Sequence, residues 1–143
     1  MNISQLRQFD KACPSYIPRY ITGSAGLGKS SVIALMAKDR GYGMVDLRLS
    51  ELEPGDLVGM PHVIHRADGR FETIYGAPSW WFDLEQNDGK VYLFLDELDR
   101  ASENMQPLAM QLTLDRRAGG RTLPKNVIIY AAGNGEKYQT AHL

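Results

Sequence analysis

The chain is expected to fold as an α/β protein with a mostly parallel sheet covered by helices on both faces. Two observations carry that expectation. Short β-compatible runs alternate with helical patterns along the chain, and the run "VYLFL" at 91–95 is too continuously apolar for anything but a central, doubly covered strand. A third is bulk: 143 residues, 43% hydrophobic and 23% charged, are enough to bury one core as a single domain.

Each element follows from local signals. Residues 3–12 read as a short helix with Ile3, Leu6 and Phe9 on one side. "YIPRYIT" is a first strand, feeding a glycine-rich loop and a helix over about 29–39 that stops at Gly41. "GMVDLRL" (43–49) is a second strand. Ser50 and Glu53 have capping-box spacing before a turn that Pro54 and Gly55 cut short. Residues 62–75 read as a β-hairpin turning at Asp68-Gly69. Pro78-Ser79 opens a short helix carrying Trp80, Trp81 and Leu84. Because the two tryptophans are adjacent, one is expected in the core and the other at an interface. After strand 91–95, a helix spans about 103–116, with Pro107 tolerable only in its first turn. Gly119-Gly120 turns a second small hairpin, and "NVIIYAAGN" (126–134) is a fourth strand.

The formal net charge of −1 offers no whole-surface attraction for nucleic acid or an anionic membrane. No window approaches the roughly 20 apolar residues of a membrane span. The single cysteine, Cys13, cannot form an internal disulfide, so a soluble, cytoplasmic protein is expected.

The chemistry concentrates in "GSAGLGKSS". Gly23-Ser24-Ala25-Gly26-Leu27-Gly28-Lys29-Ser30 satisfies G-x-x-x-x-G-K-[ST] at every position, with a strand before and a helix after. Glycines let successive backbone N–H groups turn inward around phosphate oxygens, and the helix N-terminus points its positive end at the same anion. Lys29 would reach the β and γ phosphates, and the Ser30 hydroxyl would ligate Mg²⁺. The neighbouring Ser31 completes the binding stretch.

A second cluster follows the central strand. In an open parallel sheet, ligands sit beyond the carboxyl ends of the strands, where Asp96 and Glu97 emerge. Asp96 can hold the Mg²⁺ shell beside Ser30, while Glu97 can polarise water for attack on a γ-phosphate. Asp99 is a second candidate for the base. Asn134, ending the fourth strand, could hydrogen-bond both the γ-phosphate and that water. The tandem acids favour hydrolysis over transfer.

Three segments together resemble the AAA+ ATPases, in the MoxR-like or dynein-related branch of bacterial and phage proteins. They are "GSAGLGKSS", "DLRLSELEPGDLVGMP" with "APSWW", and the run from "LFLDELDRA" to "VIIYAAGN", covering most of residues 20–134. The first is generic to many NTPases; the other two are more specific. The resemblance implies a P-loop NTPase three-layer sandwich with ATP and Mg²⁺ bound. It implies Walker A at Gly23–Ser30, Walker B at Asp96 and Glu97, and sensor 1 at Asn134. It likens the first hairpin to the helix-2 insert and the second to the pre-sensor-1 hairpin. It also implies a homo-oligomeric ring, a hexamer for instance, that remodels a protein partner, with von Willebrand A-domain proteins as a candidate class. The pattern would continue into a fifth strand, an arginine finger and a helical lid, whereas residues 1–143 stop about there. A fragment, a partner chain that completes the module, and a nucleotide-binding module with little turnover are all compatible with that.

Weaker constellations remain open. Arg116, Arg117, Arg121 and Lys125 could form a basic patch for a neighbouring nucleotide, an acidic substrate or nucleic acid, the last giving with the two hairpins an alternative reading as a DNA-directed AAA+ motor, or simply a solvated helix end. Arg100 could line a subunit boundary. His62, His65 and His142 lack metal-ligand company and read as surface residues.

Overall fold

The computed structural model describes residues 2–23 and 28–133. Four strands form the central sheet: β1 (Arg19–Thr22), β2 (Gly43–Arg48), β5 (Val91–Asp96) and β8 (Ile128–Gly133). They run β1-β8-β5-β2, every pair parallel, so the expected fold class is the observed one. Pro18 has no N–H to give a ladder, and the first strand starts only after it.

Alternation along the strands sorts their side chains into two cores. Tyr92, Phe94, Ile128, Tyr130 and Ala132 face α2 (Lys29–Arg40), meeting its Ile33, Met36 and Ala37. Val91, Leu93, Leu95, Ile129 and Ala131 face the other way, onto α3 (Pro54–Val58), α4 (Ser79–Leu84) and α5 (Gln106–Asp115). The molecule is thus three-layered.

On the α2 side lies α1 (Ile3–Ala12), opened by an Asn2–Gln5 capping box. Its expected stripe is only partly right. Leu6 packs on the core, but Ile3 and Phe9 are exposed, and the residue that penetrates is Asp10. The Asp10 carboxylate accepts hydrogen bonds from Tyr92 Oη, from Tyr130 Oη at 2.7 Å and from Arg40 Nη1 at 3.1 Å. Burial and this carboxylate both push the two phenols above the ordinary tyrosine range.

Three further expectations need correction. Ser50 caps nothing: residues Leu49–Glu51 form a 3₁₀ turn, and the capping box is the next one along, where Glu53 N–H donates to Asp56 Oδ2 at 2.9 Å with Pro54 at the helix start. Trp80 and Trp81 are both buried. The helix α4 sits in a corner, so Trp80 Nε1 reaches the Asp56 carbonyl of α3 at 2.9 Å while Trp81 enters the core. Finally, α5 begins at Gln106, not 103, which puts Pro107 in the first turn as its ring requires.

Two hairpins leave this body. The larger pairs β3 (Met60–His65) with β4 (Phe71–Gly76), through a turn in which Gly69 takes φ 84°. The smaller pairs β6 (Arg117–Ala118) with β7 (Arg121–Thr122). Their bases interlock. A Cβ on Gly59 would strike the Gly76 carbonyl, one on Gly119 would strike the Val58 carbonyl, and Arg121 donates to the Tyr75 carbonyl.

Candidate functional site

Helix α2 starts directly behind the glycine loop. Its N-cap, Gly28, sits at φ 70°, ψ 31° and offers no side chain to the first-turn N–H groups. Those donors are therefore uncapped, with the helix dipole behind them, at a point where an anion is favoured. The Lys29 ammonium turns back across this end, donating to the Gly23 carbonyl at 2.8 Å and to the Gly133 carbonyl at 3.2 Å. It thus spans the carboxyl ends of β1 and β8. Ser30 is half-buried on the same turn and Ser31 is exposed. Ser24, Ala25, Gly26 and Leu27 lie outside the described residues, as do Asn134 and His142.

Strand parity decides where the acids lie. Tyr92 and Phe94 face α2, so Asp96, two residues on, belongs to that face rather than to the opposite one. Its Oδ1 accepts the Glu97 N–H at 2.8 Å. Glu97 itself takes φ 55°, ψ 41°, a left-handed conformation that costs a residue with a Cβ about 1–2 kcal/mol. The chain thereby turns sharply at the end of β5, and the Glu97 carboxylate meets the Ser50 hydroxyl, which donates to Oε2.

The acidic surroundings are felt nearby. Asp46, on β2, has its carboxyl raised by partial burial and then by repulsion from Asp96, with Arg48 pulling the other way. The exposed Arg48 guanidinium is raised in turn, chiefly by Glu51 and then by Glu97 and Asp96. Two of these neighbours, Ser50 and Asp46, escaped the sequence reading. The sequence reading places Ser50 in a cap and singles out no role for Asp46. The one available signal is that Asp46 lies on, and Ser50 just after, the strand adjacent to β5.

Other candidates separate from the site. Asp99, in the 3₁₀ turn after Glu97, is 5% exposed and seated against Gly133. Arg100 is exposed. The basic patch is not one: Arg116 is turned inward, donating to the carbonyls of Ser15, Pro124 and Val127, and its pKa is lowered by burial and by Arg19. Arg121 is tied to Tyr75, which leaves Arg117 and Lys125 exposed. His65 packs edge-on to Phe71 at 4.5 Å and His62 lies against Gly76, so both belong to the hairpin. Among the described residues no group of three or more His, Cys, Asp or Glu is placed to hold a metal, and no helix is long and apolar enough to cross a membrane.

No protein-family model matches the chain, and no curated protein matches it. Solved structures do. NtrX from Brucella abortus superposes with a TM-score of 0.59 at 20% identity, over 98% of this chain and 32% of that one. A "putative ATPase" from Cytophaga hutchinsonii superposes with a TM-score of 0.52 at 17% identity, over 93% of this chain and 38% of that one. The chain spans about a third of the length of each. At such identities the likeness is one of fold, and that fold is the helix-covered parallel sheet of the P-loop NTPase type.

Proposed function

We propose that the chain is the nucleotide-binding core of a MoxR-like AAA+ ATPase that binds ATP with Mg²⁺, hydrolyses it, and works as a ring on a protein partner. One observation carries the reading. The Lys29 ammonium lies over the uncapped start of α2 at the ends of β1 and β8, with Asp96 on the same sheet face and Glu97 next to it, its carboxylate on the Ser50 hydroxyl.

The donor set fits a Mg-nucleotide. First-turn N–H groups of α2 and Lys29 supply positive charge for phosphates, and two carbonyl contacts hold the ammonium until a phosphate oxygen replaces them. Ser30 and Asp96 are the hard oxygen ligands that would hold the metal, which would neutralise charge on the phosphates. Glu97 accepts the proton of the attacking water. Asn134 is the proposed contact to the γ-phosphate. Ring assembly and a von Willebrand A-domain partner belong to the same reading and rest on the sequence resemblance, while a cytoplasmic location is proposed from the single cysteine, Cys13.

Lys29→Ala should weaken ATP binding about 10- to 150-fold, the worth of one or two charge-assisted hydrogen bonds. Glu97→Gln should leave binding within about threefold and lower kcat by about 10²–10⁴. Equilibrium binding of a fluorescent nucleotide beside phosphate-release kinetics separates the two, and a Glu97→Gln protein with normal turnover defeats the assignment. Turnover per chain that climbs with protein concentration supports the ring.

A second reading is favoured by the Ser50–Glu97 contact. With its base engaged by a hydroxyl, the chain is a nucleotide-gated binding module with little turnover of its own. Tight nucleotide binding with negligible hydrolysis at every protein concentration is its signature.

A further inference from the structure

Two parts of the proposed site are structurally remote in sequence yet share one support. The first is the turn after β5, where Glu97 adopts a left-handed backbone conformation that a residue with a side chain holds only when its neighbours enforce it. The second is the end of β8, whose Gly133 carbonyl receives Lys29 Nζ at 3.2 Å. Asp99 lies between them. It belongs to the 3₁₀ turn Leu98–Arg100 that follows Glu97, in which Arg100 N–H donates to the Glu97 carbonyl at 3.0 Å. It is 5% exposed, and Leu98 beside it is 4% exposed.

The Asp99 carboxylate rests on the α-carbon of Gly133. A Cβ at Gly133 would come within 2.9 Å of Asp99 Oδ1 and 2.5 Å of Tyr20 Oη, so the carboxylate and the phenol occupy the volume that any side chain there would need. Three strands are thereby joined at their carboxyl ends: β1 through Tyr20, β5 through the Asp99 turn, and β8 through Gly133. We propose that Asp99 is a positioning residue, whose carboxylate, seated with the Tyr20 hydroxyl over Gly133, holds the turn that aims Glu97 and the end of β8 whose carbonyl receives the Lys29 ammonium.

This inference rests on the ATPase reading for its kinetic consequence, but its geometric half does not. A buried carboxylate that only filled space would be replaced by a small apolar residue at a cost in stability alone. One that fixes the turn must, when removed, loosen the Glu97 backbone and misalign the base. Nucleotide binding should survive, because the first-turn amides of α2 are untouched.

The test compares Asp99→Ala and Asp99→Asn with the parent protein by two readouts. Backbone amide exchange in the nucleotide-free protein should speed up about tenfold or more at Glu97 and Arg100 in Asp99→Ala, with Leu93 and Leu95 in the strand centre unchanged. Turnover of MgATP should fall about 10- to 100-fold in kcat with KM within about threefold. Asp99→Asn, which keeps an acceptor of the same size, should retain kcat within about threefold. Unchanged exchange at Glu97 in Asp99→Ala, or an unchanged kcat per folded molecule, overturns the proposal. If Asp99→Ala does not fold, Gly133→Ala carries the same readouts, since its methyl displaces both Asp99 and Tyr20. A parent protein that hydrolyses no ATP defeats the ATPase reading, while the exchange measurement still decides the role of Asp99.

Discussion

At the scale of single residues, the sequence exposes chemistry and conceals who restrains it. Lys29, Ser30, Asp96 and Glu97 stand out because each belongs to a short, ordered motif with a mechanism attached. Ser50 does not, because its partner is 47 positions away in the chain, across two strands. Only the parallel register of β2 with β5, which sets Arg48 opposite Asp96, brings the following residues together. The Ser50 hydroxyl occupies a lone pair of the carboxylate that a water would otherwise use. Ser50→Ala should therefore raise basal ATP turnover, by about two- to tenfold for a hydrogen bond of ordinary net strength, while leaving nucleotide affinity unchanged. Phosphate release under saturating ATP measures it. A fall in kcat would mean that the hydroxyl orients the base productively instead of restraining it.

At the scale of elements, local signals locate the strands of the sheet and helices α1, α2, α4 and α5, but they read α3 as a turn cut short at Pro54, where the proline instead starts a helix, and they assign apolar faces where polar ones matter. Nothing in the pattern of α1 distinguishes Asp10 from any acid on a surface helix. It is buried because two outward hydroxyls, on neighbouring strands β5 and β8, need an acceptor at the level where α1 crosses them. The adjacency of Trp80 and Trp81 misled in the opposite sense: a helix wedged in a corner can bury two sides at once. The Asp10 cluster makes α1 part of the core instead of an appendage. Asp10→Ala strands two buried phenols and removes the partner of Arg40, so it should cost about 3–5 kcal/mol in urea unfolding. Asp10→Asn keeps an acceptor and should cost about 1–3 kcal/mol. An Asp10→Ala cost below about 1 kcal/mol would show that α1 is held by Leu6 and its apolar neighbours alone.

At the scale of the whole molecule, two kinds of structure coexist. The central sheet is covered by helices on both faces, whereas β3 and β4 project with both faces in water. Val63 is 63% exposed and Phe71 is 69% exposed. The Asp68-Gly69 signal announced this hairpin, yet nothing local in its sequence says that it stands away from the core. That follows from what packs at its base, where Gly59 and Gly119 allow backbones to meet and Arg121 fastens β4 to the second hairpin. A two-stranded ribbon is marginal in water by itself. Here its tip is held by exposed ion pairs, Arg66 with Glu72 at 2.5 Å and Arg70 with Asp68 at 2.7 Å, which contribute little and weaken with salt. The tip should open locally far more often than the sheet unfolds. Brief trypsin treatment should therefore cut first after Arg66 or Arg70. The nicked protein should keep its buried-tryptophan fluorescence, because Trp80 and Trp81 sit in the main core, and it should still unfold in one cooperative step. A first cut at Lys90, Arg117 or Lys125, or loss of cooperative unfolding after the nick, would mean that the projecting hairpin and the body are a single stability unit.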